Sequence, residues 1–140
     1  MSDMTKLRNL EIDQTKLDEE LCTQASNFLF VAEKSVELEA KYLAAKLQHD
    51  TLCAQLDGEI RVELDAKGQK ATEKIVEAQL LLNEKYQSSA KNLNIIRAQK
   101  ETIKALKEAW YMRKDLLIRI AINQRSEIEG LTSTSVKEAA

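Results

Sequence analysis

Proline is absent from this chain of 140 residues, glycine occurs three times, and aromatic residues make up 4%. A chain with so few turn-formers cannot supply the many tight connections of a β-sandwich or barrel, so the composition points to one all-helical unit. Histidine occurs once, as His49. Cys53 stands four residues further on, and the pair supplies only two metal ligands. The two cysteines, Cys22 and Cys53, fall in one expected helix, roughly 46 Å apart at helical rise, which rules out a disulfide within a chain. No apolar run approaches the ~20 residues of a membrane span. The opening Met-Ser-Asp-Met-Thr-Lys lacks the apolar core of an export signal. A reduced, intracellular, soluble protein is expected. Nor does the sequence hold a nucleophile paired with a base, a glycine-rich phosphate loop or a convergent carboxylate pair. The expectation is a protein without catalytic activity, cofactor or metal.

What is present is periodicity. Ile75, Leu82, Ser89, Ile96, Ile103, Trp110 and Leu117 recur every seven residues. Gln79, Tyr86, Leu93, Lys100, Lys107, Lys114 and Ala121 fill the gaps between them. A 3.5-residue period held this long predicts a helix with a seam facing another helix. The seam is apolar through Ile96 and half basic afterwards.

Taken in order, residues 1–11 read as a flexible segment. Thr15 and Asp18 have the spacing of a capping box, and Asp18, Glu19 and Glu20 suit the positive end of a helix dipole. A first helix over 15–65 follows. Leu21, Ala25, Phe28, Ala32 and Ser35 form one row, and Cys22, Leu29, Val36 and Leu43 a neighbouring one, with Phe30, Val31, Leu38 and Leu52 off the seam. Asp57-Gly58 is a place for a kink but not for an end, since Ile60 and Leu64 continue the spacing. Residues 66–71 form a turn with Gly68 in the left-handed conformation, and a second helix spans 72–129, stopped by Gly130. Residues 131–140 read as a flexible tail, which leaves one helical domain over 12–130.

The architecture expected is thus a long antiparallel helical hairpin of coiled-coil type. Two such helices side by side enclose no globular core, so the remaining apolar stripes call for other copies of the chain. Ile96, Ile103, Trp110, Leu117, Ile118, Ala121 and Ile122 are the expected oligomerisation residues.

The formal net charge is −2, but it is unevenly spread. Residues 1–66 carry 7 basic and 14 acidic side chains, whereas residues 97–125 carry 8 and 3. An acidic helix pairing with a basic one accounts for this, and so does a basic face kept for phosphate. Two basic groups stand out. Arg97, Lys100, Lys104, Lys107 and Lys114 follow one ridge with Tyr111, and either pair with Glu33, Glu37 and Glu39 or track a sugar–phosphate backbone. Arg61, Lys67, Lys70 and Lys74 gather around the turn, as solubilising charge or as a phosphate-binding rim.

Near the start, Ile12-Asp13-x-Thr15-Lys16-Leu17-x-x-Glu20 resembles the opening segment of the UvsY-like recombination mediators of T-even-type bacteriophages. Near the end, Ile118-Arg119-x-Ala121-Ile122-x-x-Arg125, with Gly130 five residues on, resembles their closing one. The resemblance spans about residues 12–130. It implies a ring-shaped homo-oligomer of six or seven subunits that binds single-stranded DNA. Such a protein helps a RecA-like recombinase displace single-strand-binding protein, in the cytoplasm of an infected bacterium, in recombination and repair. It also implies that the C-terminal helix contributes to assembly. The family's Lys-x-Arg pair near the end of the first helix is here Glu59-Ile60-Arg61, so only Arg61 matches. Lys67, Lys70 and Lys74 are the substitutes nearest in sequence. A structural coiled-coil scaffold or a protein-binding adaptor is the alternative.

Overall fold

In the computed structural model, residues 2–139 are described, with side chains over residues 4–131. The order is α1 (Ser2–Leu7), a 3-10 turn (Gln14–Lys16), α2 (Leu17–Ala66), α3 (Glu73–Leu82) and α4 (Glu84–Ala139). The described residues are all-helical apart from their connections, and a long helix pairs with another. None of these helices is long and apolar enough to cross a membrane. Contacts divide the chain into two compact units: unit 1 comprises residues 1–34 and 103–140, unit 2 residues 35–102.

Unit 2 is a helical hairpin. Its turn follows from one residue: Gly68 takes φ +72°, which a Cβ would disfavour, and the Gln69 amide reaches back to the Leu64 carbonyl at 2.9 Å. Thr72 then caps α3 in extended conformation, its hydroxyl accepting from the Ile75 amide. Ile60 and Leu64 of α2 bury against Val76 of α3, with Ala71 and Leu80 packed around them.

The second arm is not one helix. Asn83 adopts extended φ/ψ between α3 and α4, and its side-chain oxygen accepts from the amides of Lys85 and Tyr86. Asparagine is a strong N-cap because its short amide satisfies the orphan donors of a first turn. The cap shifts the helical phase by one residue. Before it Val76 is buried while Ile75 and Leu82 are exposed; after it the expected row of Leu93, Ile96, Ile103, Trp110 and Leu117 is buried. Asn83→Ala should cost about 1 kcal/mol, read as a lower urea midpoint with an unchanged slope.

On α2 the inward row matches the expected one only in part. In unit 2 it runs Ser35, Leu38, Tyr42, Ala45, His49, Leu52, Leu56, Ile60 and Leu64; in unit 1 it is Gln24, Phe28 and Val31. Leu29, Val36 and Leu43 face solvent instead. Phe28 and Ser35 of the expected row do point inward, whereas Gln24 and Val31 stand in place of the expected Ala25 and Ala32, one residue on; Val31 and Ala32 are both apolar, so periodicity alone does not choose between them. Gly58 interrupts nothing.

The ends depart further from expectation. The capping role falls to Asp13, whose carboxylate accepts from the Thr15 amide and hydroxyl and is thereby held below the ordinary Asp range. Residues 1–11 are not loose where described. Leu7 is buried in unit 1, for reasons given below. Gly130 does not stop α4, whose backbone continues helically to Ala139. A mid-helix glycine costs only about 1 kcal/mol relative to alanine, and Gly130 has no left-handed φ.

Candidate nucleic-acid interface

Of the four residues expected to bind nucleic acid, Lys67, Lys70 and Lys74 stand exposed around the Gly68 turn, with no ion pair or hydrogen bond from their side chains. Arg61 differs. Its Nε donates to Asp57 at 2.8 Å and its Nη2 to Glu73 at 2.8 Å, at 37% side-chain exposure. Hydrogen bonds donated to Asp57 and then to Glu73, reinforced by their charges, raise its already high pKa. The guanidinium fork is therefore already engaged by carboxylates. Residues 57–77 as a whole carry six acidic and four basic side chains. A uniformly basic rim of four free cations is not what unit 2 presents at its turn.

The ridge on α4 is likewise partly committed. In unit 2, Lys100 Nζ lies 3.3 Å from Glu39 and 4.3 Å from the centroid of the Tyr42 ring. Arg97 sits over the same ring at 5.7 Å. In unit 1, Lys114 lies 3.9 Å from Asp115 and 4.4 Å from the Tyr111 centroid. Only the Glu39 pair matches the expected partnership between the two helices. Arg97 meets an aromatic face of α2 instead, Lys114 finds its partners within α4, and Lys104 and Lys107 have neither an ion pair nor a ring contact among the described residues.

His49 lies inside the seam of unit 2. Its Nδ1 is 2.9 Å from Ser89 Oγ, its Nε2 3.5 Å from Cys53 Sγ, and its ring 5.4 Å from that of Tyr86. Burial, and then the Asp50 charge, push the Cys53 thiol up, so it stays protonated at neutral pH. Both cysteines are free.

Unit 1 holds a buried polar network that the periodicity does not announce. Arg113 is 6% exposed and donates in four directions: to the Leu10 and Glu11 carbonyls, the Gln24 amide oxygen and the Glu20 carboxylate. Trp110 Nε1 donates to the Leu7 carbonyl at 2.8 Å, and Gln24 Nε2 to the Trp110 carbonyl at 2.7 Å. Two side chains of α4 thus bind residues 7–11 as a strap. The signal available was position: Arg113 falls three residues after Trp110 and four before Leu117, where a seam residue belongs.

The expected assembly residues divide accordingly. Ile96 and Ile103 of the α4 row, like Trp110 and Leu117, are buried within the chain, so they are not a free subunit surface. The reason is that the pairing of α4 with α2, and in unit 1 with the strap, already covers that row. Ile118 and Ile122 do face outward, at 43% and 57% exposure, with Ala121 half-buried. Beside them lies an apolar groove of about 370 Å³ lined by Leu21, Ala25, Phe28, Tyr111 and Ile118.

Comparison with known protein families, with characterised proteins and with solved structures found no match to this chain.

Proposed function

We propose that this is a non-enzymatic recombination mediator that assembles into a homo-oligomeric ring and binds single-stranded DNA, helping a RecA-like recombinase displace single-strand-binding protein. The observation that carries the reading is the set of exposed, unpaired lysines on unit 2, Lys41, Lys91, Lys67, Lys70 and Lys74, the last three just beyond the part of the chain where the resembled family places its DNA contact. The exposed Ile118 and Ile122 support assembly, since apolar residues grouped beside an apolar groove mark an association surface more often than a lone exposed leucine does.

A second reading, a helical scaffold or adaptor without a nucleic-acid role, is favoured by one observation: Arg61, the single residue matching the family's basic pair, is engaged by Asp57 and Glu73.

Anisotropy of a labelled oligo-dT separates the two. The mediator reading expects binding whose log affinity falls with log salt, at about −0.7 per phosphate contacted. Affinity that is absent, or that ignores salt, leaves the scaffold reading. In parallel, the double change Ile118→Asp and Ile122→Asp should reduce the sedimenting species to a smaller one with the helix content kept. An unchanged mass places the assembly surface elsewhere.

A further inference from the structure

The basic character of unit 2 does not lie mainly at its turn. Residues 40–49 of α2 and 85–100 of α4 contain no aspartate or glutamate, yet they hold Lys41, Lys46, Lys85, Lys91, Arg97 and Lys100. The two stretches are antiparallel neighbours, since Tyr42 meets Arg97 and His49 meets Ser89. Between them runs a groove of about 440 Å³. Its floor is Ala44, Ala45, Ile95 and Ile96, and its polar lining is Lys41, Gln48, Asn92 and Gln99.

The chemistry of that lining is specific in kind. The three amides are exposed and make no hydrogen bond within the protein. The two alanines leave room for a flat group to approach α2, and the half-exposed Ile95 offers it an apolar surface. Lys41 makes no ion pair, unlike Arg61 at the turn. Lys91 stands one helical turn before Ile95 and so flanks the groove near its Asn92 end. Lys41 and Gln48 are about 10 Å apart along the helix axis, so the two cations flank opposite ends of a short channel.

We infer that this groove, rather than the turn, is where a single strand of DNA runs across unit 2. The phosphates would meet Lys41 and Lys91, and the bases would lie on the alanine–isoleucine floor within reach of the three amides. A positively charged channel with an apolar surface for exposed bases is the arrangement that single-strand binding requires. A duplex, with its bases stacked inside, has nothing to offer the floor. The inference rests on the DNA-binding reading above and names its site.

The test compares Lys41→Ala/Lys91→Ala with Lys67→Ala/Lys70→Ala in the full-length protein, using labelled oligo-dT from 50 to 200 mM salt. All four residues are exposed, so melting temperatures should match the parent. Losing two phosphate contacts flattens the log–log slope by about 1.4, which shrinks the fall in affinity across that range about sevenfold. The groove pair should show this change and the turn pair should not. Photocrosslinking with thiothymidine-substituted DNA should mark the segments 41–48 or 91–99. If the parent binds but the turn pair carries the slope change, or the crosslinks fall on 67–74, the groove is wrong and the mediator reading survives. If the groove pair lowers the oligomeric mass instead, the groove is a subunit contact. If the parent binds no single strand at all, the mediator reading itself falls.

Discussion

Replacing Trp110 with alanine should destabilise the protein by about 3–5 kcal/mol, the largest effect expected from any single truncation of an apolar side chain here. The indole is 2% exposed and fills the row between Ile103 and Leu117. It does more than occupy volume, because its N–H also holds the Leu7 carbonyl. The loss should lower the melting temperature by roughly 10–20 °C for a chain of this length. Trp110→Phe separates the two contributions, keeping much of the apolar volume while leaving the Leu7 carbonyl without its donor. It should recover more than half of the loss. If alanine at this position costs under 1 kcal/mol by urea titration, about what a surface change does, the packing described for unit 1 is wrong.

Arg113→Ala should be comparably severe, for an electrostatic reason. The guanidinium is buried with four acceptors around it, and deleting it strands the Glu20 carboxylate and two main-chain carbonyls. Removing one partner of a buried, hydrogen-bonded pair costs about 3–5 kcal/mol, although the pair itself adds little over a well-packed apolar substitute. Lysine should not rescue it, since an ammonium cannot reproduce the planar fork that reaches Leu10, Glu11 and Gln24 together. Urea unfolding of Arg113→Ala, Arg113→Lys and Glu20→Gln should rank them in that order of damage. If Arg113→Lys unfolds at the parent's midpoint, the fork is not what binds the strap.

These two residues also mark the limits of what was legible beforehand. The heptad row through Ile96, Ile103, Trp110 and Leu117 follows from spacing, and so do the Gly68 turn and the start of a helix at about Thr72, because each rests on a local rule. The break at Asn83 is hidden because the exposed Leu81 and Leu82 just before it keep the apolar count high while the phase changes. The α2 seam follows from spacing at Phe28 and Ser35, but it passes through Val31 rather than Ala32, a choice between two apolar neighbours that periodicity does not make. The strap was missed altogether, because a segment held by its carbonyls leaves no pattern in its own side chains. At the nucleic-acid interface, charge counting found the lysines near the turn. It did not show that Arg61 was already paired, which depends on where Glu73 falls across the turn.

The strap has one more implication, for how this sequence is free to change. Two of the bonds from Arg113 and the one from Trp110 end on peptide oxygens of residues 7, 10 and 11, which every amino acid carries. Arg8 and Glu11 are exposed, and of the strap's exposed side chains only that of Asn9 binds within it, accepting from the Glu11 amide. Related chains can therefore vary widely over these positions, in charge as well as size, without loosening the attachment. Leu7, Trp110, Arg113, Gln24 and Glu20 have no such latitude. In a set of diverging sequences, the strap would be known less by its own residues, Leu7 apart, than by the constancy of Trp110 and Arg113, some hundred positions away.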